Sequence, residues 1–485
     1  MNSPSVVRCY VSSHAADQIG MKRPFLEADM CRLLRSAVPG VVWPAIPDRA
    51  GASILALLLQ LEESQWWHGE TLLERQLAQF GALADHAYRH SPFFRARFDQ
   101  AGLGGGQPWS SASHTSIPLL TRAELMRHAA QINCRVLPRE HGASHKVQTS
   151  GSTGQMISVL RTDAAQLFWL ALAMRDHLWH RRDFSASLAV IKAMTPSMDD
   201  PAEAARIGWG HPATLLLDTG PSYTQPLSLD VAQQASWLLR RNPHYLLTYP
   251  SNLNALLDHF EKCGSFPAAL RQIRTVGETL PTDIRTRCRQ LGDIEVVDMY
   301  SSQEAGIIAL QCPVSGLYHV QSESLLIEIL NDDGQPCKPG EVGRVVITDL
   351  HNFATPLIRY EIRDYAEVGP ACPCGRSLPT LTRIMGRRRN MVVLPNGERH
   401  WPLVGAYRFR EVADIRQYQL IQHALGEIEV RLVADRPLSS GQEAQLAAVI
   451  HSALGYPFTL RFTYSNRELP KTAGGKFEEF ISLVG

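Results

Sequence analysis

No stretch of the chain approaches the ~18–20 consecutive apolar residues that cross a bilayer. The longest run, 54–61, is interrupted by Gln60 and followed by Glu62 and Glu63. Net charge is also nearly absent: 48 Lys and Arg against 47 Asp and Glu leave +1, which gives no support for a nucleic-acid or polyanion partner. Neither a membrane nor a nucleic acid is therefore expected as a partner. Cysteine is sparse and odd in number, nine in 485 residues, which argues against a disulfide scaffold and for a reducing compartment. The first 20 residues lack the hydrophobic core of a signal peptide, and the cytoplasm is the expected location. Internal repeats and low-complexity tracts are missing too. What is present is ordinary globular material. A 45% hydrophobic share and a 20% charged share suffice for a large core, and the length suits two to four domains at ~100–200 residues each.

Residues 1 to about 40 show no clear periodicity, and 1–45 read as an N-terminal extension. Leu73, Leu77, Phe80 and Leu83 recur at helical spacing between residues 70 and 98, with Ser91-Pro92 marking an end. Thr162-Asp163 offers an N-cap for a helix running to about Arg182. Beyond it, β-type runs at 188–194, 245–249, 273–276 and 294–299 alternate with helical segments at 230–241 and 252–262. That alternation predicts an α/β sheet with parallel strands. After Glu323 the texture changes. Runs at 325–329 and 345–347, joined through "NDDGQP", predict a small β-rich subdomain. From about Arg388, a hairpin at Asn396-Gly397, paired strands "QYQLIQ" and "IEVRLVAD", a helix over 440–454 and the strand "LRFTYS" predict a compact α+β unit.

Several short stretches carry chemistry. "TSGSTG" spans Thr149, Ser150, Gly151, Ser152, Thr153 and Gly154. Its glycines allow close backbone approach and its hydroxyls donate hydrogen bonds, a combination suited to phosphate oxygens; a surface turn is the plainer alternative. It is not a Walker loop, because no Gly-Lys-Ser/Thr follows. "MYSSQE" puts Tyr300 and Glu304 just after a β-run, where open α/β sheets line ligand crevices, and a carboxylate there could hold a nucleotide's magnesium ion. "LIRYEIRD" contains Arg359, Arg363 and Asp364, the last able to accept two ribose hydroxyls. In "IMGRR" the Arg387 guanidinium suits a phosphate or ribose. Lys476 closes the tail motif "KTAGGK". Separately, Cys312, His319, Cys372 and Cys374 make a complete tetrahedral zinc set, structural because protein fills all four positions; free buried thiols are the alternative.

In this order, "SPFFRARF", "TSGSTG", "TVGETL", "MYSSQE", "LIRYEIRD", "CPCGRSLP", "IMGRR" and "KTAGGK" resemble the adenylate-forming superfamily of acyl-CoA synthetases, peptide-synthetase adenylation domains and luciferases. Within it they resemble the phenylacetate–CoA ligase-like branch, over roughly residues 50–485. The resemblance implies an α/β fold with a large N-terminal domain (46–387), which binds ATP and the acyl group, and a small mobile α+β domain (388–485). It implies that residues 149–154 cradle the β,γ-phosphates of ATP. Gly277 and Glu278 would lie near the adenine, Tyr300 would stack by the adenine or acyl group, and Glu304 would coordinate Mg2+. Asp364 and Arg387 would hold the ribose, and Lys476 would bridge the acyl carboxylate and the α-phosphate. The small domain would rotate between two half-reactions. A similar Cys…His…Cys-x-Cys pattern recurs in this branch.

Two stretches depart from it. "DDPAEAARIGWGHPATLL" stands where the branch carries a Tyr-Gly-rich segment near the acyl pocket, and "GRRRNMVVLPNGERHWP" replaces its usual hinge. The expected activity is therefore ATP-dependent ligation of a carboxylic acid, aryl or apolar, with coenzyme A as the expected acceptor. An amine and a carrier-protein thiol stay open as acceptors, as does a homodimer. A nucleotide-binding homologue without turnover is the remoter alternative.

Overall fold

The computed structural model describes residues 33–104, 109–148, 157–193, 205–206, 208–387, 391–400, 409, 411–470 and 477–484. The helix Gly69–His90 ends at Ser91, whose N–H bonds to the Ala87 carbonyl, and Ser91 then caps a second helix, Pro92–Gln100, by accepting from Phe94 N at 3.3 Å. Ser91-Pro92 is thus a break between two helices, because serine serves both ends and proline is tolerated at the first helical position. Thr162 caps Asp163–Trp179 as expected, and that helix stops three residues before Arg182. The apolar run at 54–61 belongs to a helix, Arg49–Ser64, in which Ile54, Leu58 and Leu61, four and three residues apart, face the core.

The strands are β1 Ser144–Gln148, β2 Ser158–Thr162, β3 Leu188–Lys192, β4 Ala205–Arg206, β5 Ser222–Pro226, β6 Tyr245–Thr248, β7 Gln272–Val276, β8 Glu295–Ser302, β9 Gly306–Gln311, β10 Tyr318–Val320, β11 Leu325–Leu330, β12 Val342–Asp349, β13 Tyr360–Val368 and β14 Thr380–Arg387. β1 and β2 form a hairpin. The other twelve form one sheet in the order β11-β12-β13-β14-β10-β9-β8-β7-β6-β3-β5-β4. Strands β5, β3, β6, β7 and β8 are mutually parallel, as the helix–strand alternation requires. From β8 onward, toward β11, every pairing is antiparallel. The expected β-rich subdomain is therefore a continuation of the main sheet. One hydrophobic core gathers around Phe80, Phe94, Tyr360 and Ile347 at the antiparallel half, and another around Trp237, Leu256 and Ile273 at the parallel half. The proposed boundary after Arg387 falls on residues outside those described.

The C-terminal unit has its own sheet, in which Ile415–Ala424 and Glu427–Ala434 pair antiparallel and Thr459–Ser465 and Phe480–Ser482 flank them in parallel. The helix Ser440–Leu454 buries Leu446, Ile450 and Leu454 against it. The Asn396-Gly397 turn joins Val392–Val393 to Arg399–His400, with Gly397 at φ +86°.

One buried ion pair ties three elements of the antiparallel half together. Arg359, at φ +48° just before β13, reaches Glu328 of β11 through Nε at 2.9 Å and Nη2 at 2.8 Å. Its Nη1 also donates to the carbonyls of Thr115 and Ile117. His114 lies 3.9 Å from the same carboxylate, but burial and Arg359 push its imidazole pKa down to about 4, so it supplies no charge at neutral pH. Arg359→Met therefore leaves Glu328 without a cation. Urea denaturation should show a loss of about 3–5 kcal/mol; a loss under about 1 kcal/mol would mean the pair is not holding these elements together.

Candidate active site and a buried cysteine–histidine cluster

β8 is the strand where the sheet changes from parallel to antiparallel, and the candidate residues gather at its carboxyl end and those of β6 and β7. Ligand crevices form at this end of parallel strands. Tyr300, near the end of β8, is buried and donates its hydroxyl to Asp364 Oδ2 at 2.8 Å. Asp364 sits in β13 directly opposite Arg387 of β14. Arg363 beside it has φ +71°, and Gly386 has φ +83°. A Cβ on Gly386 would come within 3.1 Å of Thr279 Oγ1. Glycine at 386 thus lets "IMGRR" lie against "TVGETL". Of three expected site residues, Asp364 and Arg387 are brought together by backbone register and Tyr300 joins Asp364 through its hydroxyl; the Arg387 side chain lies outside what is described.

Glu304 occupies the tight connection between β8 and β9, where Ser302 Oγ accepts from Ala305 N at 3.0 Å and Gly306 takes φ +85°. The residue is buried, and Arg122 Nη1 approaches its carboxylate at 3.5 Å. Arg161 braces the turn by donating to the carbonyls of Gln303 at 2.6 Å and Glu304 at 3.4 Å. Gly277 leaves β7 at φ +82°. The carboxylate of Glu278 accepts from Ser251 N at 2.9 Å, Ser251 Oγ at 3.1 Å and, from the C-terminal unit, Phe477 N at 2.9 Å. Residues 149–154 and Lys476 lie outside the described residues.

Arg122, Arg161 and Ser251 were not among the residues singled out from the sequence. Arg122 sits inside a capping box, where Thr121 and Glu124 exchange hydrogen bonds. That pattern announces a helix start and is silent about a partner 182 positions away.

The second cluster assembles in the antiparallel half. Cys312, His319, Cys372 and Cys374 are all buried, and their candidate ligand atoms lie within 4.8 Å of one another. Cys312 Sγ and Cys372 Sγ are 3.7 Å apart, and Cys374 Sγ is 3.3 Å from His319 Nε2. The other ring nitrogen, Nδ1, lies 3.2 Å from the Leu378 carbonyl, which orients Nε2 toward the sulfurs. Hydrogen bonds from Cys374 and His319 pull the Cys312 thiol well below its ordinary pKa. All four groups named from the sequence are thus brought together.

No family model matches the chain. It is 24% identical over 400 residues to the phenylacetate–coenzyme A ligase of Thermus thermophilus, covering 79% of this chain and 86% of that one. It is 23% identical over 320 residues to the Escherichia coli K12 enzyme of the same name, covering 64% and 69%. Among solved structures, 2-hydroxyisobutyryl-CoA ligase in its postadenylation state superimposes with a TM-score of 0.68 at 17% identity, over 86% of this chain and 90% of that one. The same ligase in its thioesterification state gives 0.56, over 87% and 93%. The chain has the adenylate-forming fold. The sequence relatives it resembles, at 23–24% identity, are phenylacetate–CoA ligases.

One buried acid stands apart from the expected set. Asp349, at the end of β12, accepts from His351 N at 3.1 Å. Burial raises its pKa to about 6, with the backbone donors and then Arg161 acting in the opposite sense. A folded-state pKa above the unfolded one means that the acid stabilises the fold only while protonated. Stability is lost as pH rises from about 4 through about 6, by up to about 3 kcal/mol. Asp349→Asn keeps the acceptor for His351 and removes the titration. Unfolding free energies of the variant at pH 4 and pH 7 should then differ by about that much less than those of the parent; an unchanged difference would show that Asp349 does not titrate this way.

Proposed function

We propose that the protein is an ATP- and Mg2+-dependent carboxylic acid ligase acting through an acyl-adenylate, with coenzyme A as acceptor. The observation that carries this is the Tyr300–Asp364 pair opposite Arg387, at the carboxyl end of the parallel strands in an adenylate-forming fold. The substrate carboxylate attacks the α-phosphate, forming a C–O–P bond and releasing pyrophosphate. The acceptor thiol then attacks the acyl carbon and AMP leaves. Asp364, oriented by Tyr300, offers its carboxylate to the ribose hydroxyls, and Arg387, opposite it in the strand register, is the further ribose-binding residue. Residues 149–154 hold the β,γ-phosphates. Glu304 is the group that would hold Mg2+, which neutralises phosphate charge when bound; its carboxylate faces Arg122 at 3.5 Å, so metal binding and that ion pair compete. Residues 46–387 form the ATP- and acid-binding domain and 388–485 the mobile one. An aryl or apolar acid is the donor class. Acid-dependent pyrophosphate–ATP exchange without acceptor tests the reading: exchange is expected for at least one acid of a broad panel, whereas ADP as product, or no turnover, would refute it. Thioester, amide or carrier-bound product then identifies the acceptor.

Lys476 gives a sharper test. Its ammonium would lie between carboxylate and α-phosphate, where charge shifts during adenylation. Removing one such preorganised donor typically slows the step by ~10²–10³. Lys476→Ala should lower pyrophosphate–ATP exchange by that order. It should leave ATP affinity nearly unchanged, since the phosphate loop and ribose residues lie elsewhere. A parental exchange rate would make Lys476 a surface residue.

The cysteine–histidine cluster fits zinc: three sulfurs and one oriented imidazole nitrogen match a tetrahedral structural site. About one zinc per chain should co-purify, with Zn–S near 2.3 Å and Zn–N near 2.0–2.1 Å by X-ray absorption. Cys374→Ser should lower the melting temperature more than it changes the KM for ATP. A disulfide among these cysteines, or zinc-free protein of unchanged stability, would overturn the assignment.

A further inference from the structure

Glu278 is expected near the adenine, yet its carboxylate is engaged elsewhere. It sits over the N-terminal turn of the helix Pro250–Cys263, accepting from both the N–H and the hydroxyl of Ser251. A negative group is favoured there by the helix dipole and the unpaired first-turn donors. The oxygen that accepts from Ser251 Oγ also accepts Phe477 N–H at 2.9 Å, across 199 positions of sequence. Phe477 immediately follows Lys476 and is held from its other side by the C-terminal sheet. Leu420 N donates to the Glu479 carbonyl, Gln419 Nε2 to the Glu478 carbonyl, and Tyr418 Oη to the Glu479 carboxylate. The Phe477 amide is therefore a fixed donor at the end of the lysine segment. A second link between the two units, Lys262 to Asp414 at 3.4 Å, is solvent-exposed and contributes little.

We propose that Glu278 is a positioning residue that docks the C-terminal unit for adenylation, by binding the backbone amide next to Lys476 rather than by recognising the base. This rests on the ligase reading for its kinetic consequence, but the docking contact itself can be tested without turnover. A carboxylate suits the task because it accepts all three donors at once, and hydrogen bonds to a charged group are about twice as strong as neutral ones. Breaking the Phe477 contact frees the small unit for the rotation that the second half-reaction is expected to need.

The test compares the full chain with Glu278→Ala. Under native conditions trypsin cuts after Lys476, and release of the peptide 477–485 is followed by mass spectrometry. Loss of the charged acceptor should speed this cleavage by about tenfold or more. In acid-dependent pyrophosphate–ATP exchange, kcat should fall by about tenfold or more while the KM for ATP changes by less than about threefold. Cleavage at the parental rate would overturn the docking role. So would a raised KM for ATP with unchanged kcat, which would assign Glu278 to nucleotide binding. If the parent shows no exchange with any acid, the ligase reading falls while the cleavage comparison still decides the dock. Should Glu278→Ala not fold, Glu278→Gln replaces it in both assays: one end of its amide is a donor, so it cannot satisfy Ser251 N–H and Phe477 N–H together.

Discussion

Strand β8 has to satisfy two different neighbours. On one side it hydrogen-bonds to β7 in parallel, and on the other it turns back on itself to pair antiparallel with β9. A parallel partner needs a long crossover, whereas an antiparallel one needs only a tight turn. The carboxyl end of β8 is therefore open toward the crossover side and closed by the Ser302–Gly306 turn on the other. Tyr300 and Glu304 are placed by that asymmetry, and β13 and β14 are brought within reach of Tyr300 only because the antiparallel half continues the same sheet.

Buried charge makes the arrangement specific. Arg359 holds Glu328 and two carbonyls, Arg161 braces the turn that carries Glu304, and Arg122 faces the Glu304 carboxylate. Each guanidinium offers several fixed donors and joins elements remote in sequence. Pairs of this kind add little net stability over an apolar core, but losing one partner strands the other. They penalise misregistered arrangements of the antiparallel strands. The cysteine–histidine cluster ties β9 and β10 to the segment preceding β14, and so bears on the same register from the other side.

The parallel half was legible because local signals dominate it. Thr162 caps its helix, and short apolar runs at 245–249 and 273–276 read as buried strands; in the C-terminal unit the Asn396-Gly397 turn likewise declares its hairpin. The antiparallel half was only partly legible. β10 is three residues long, too short to show alternation. β13 contains Arg363 and Asp364, whose polarity masks a strand. The helix Thr282–Gly292, whose sequence carries Asp283, Arg285, Arg287 and Arg289, was missed for the same reason. The candidate site was readable as a set of motifs, but not as a geometry: Arg122, Arg161 and Ser251 belong to it through contacts that no local pattern encodes.

The sequence by itself determined the element types of the parallel half and the compact C-terminal unit, and it named the members of the cysteine–histidine set and the candidate-site motifs. The element types follow from residue chemistry and spacing within a few positions; the ligand set follows from the residue types of Cys312, His319, Cys372 and Cys374, and the site motifs from the family resemblance. Only the tertiary structure decided that the β-rich region extends the main sheet, that Tyr300 meets Asp364, that Arg122 faces Glu304, and that Glu278 accepts the amide of Phe477. Those pairings depend on strand order and on side chains brought together across 60 to 200 positions, and the free energy of a long-range contact is set by the fold around it rather than by its neighbours in the chain.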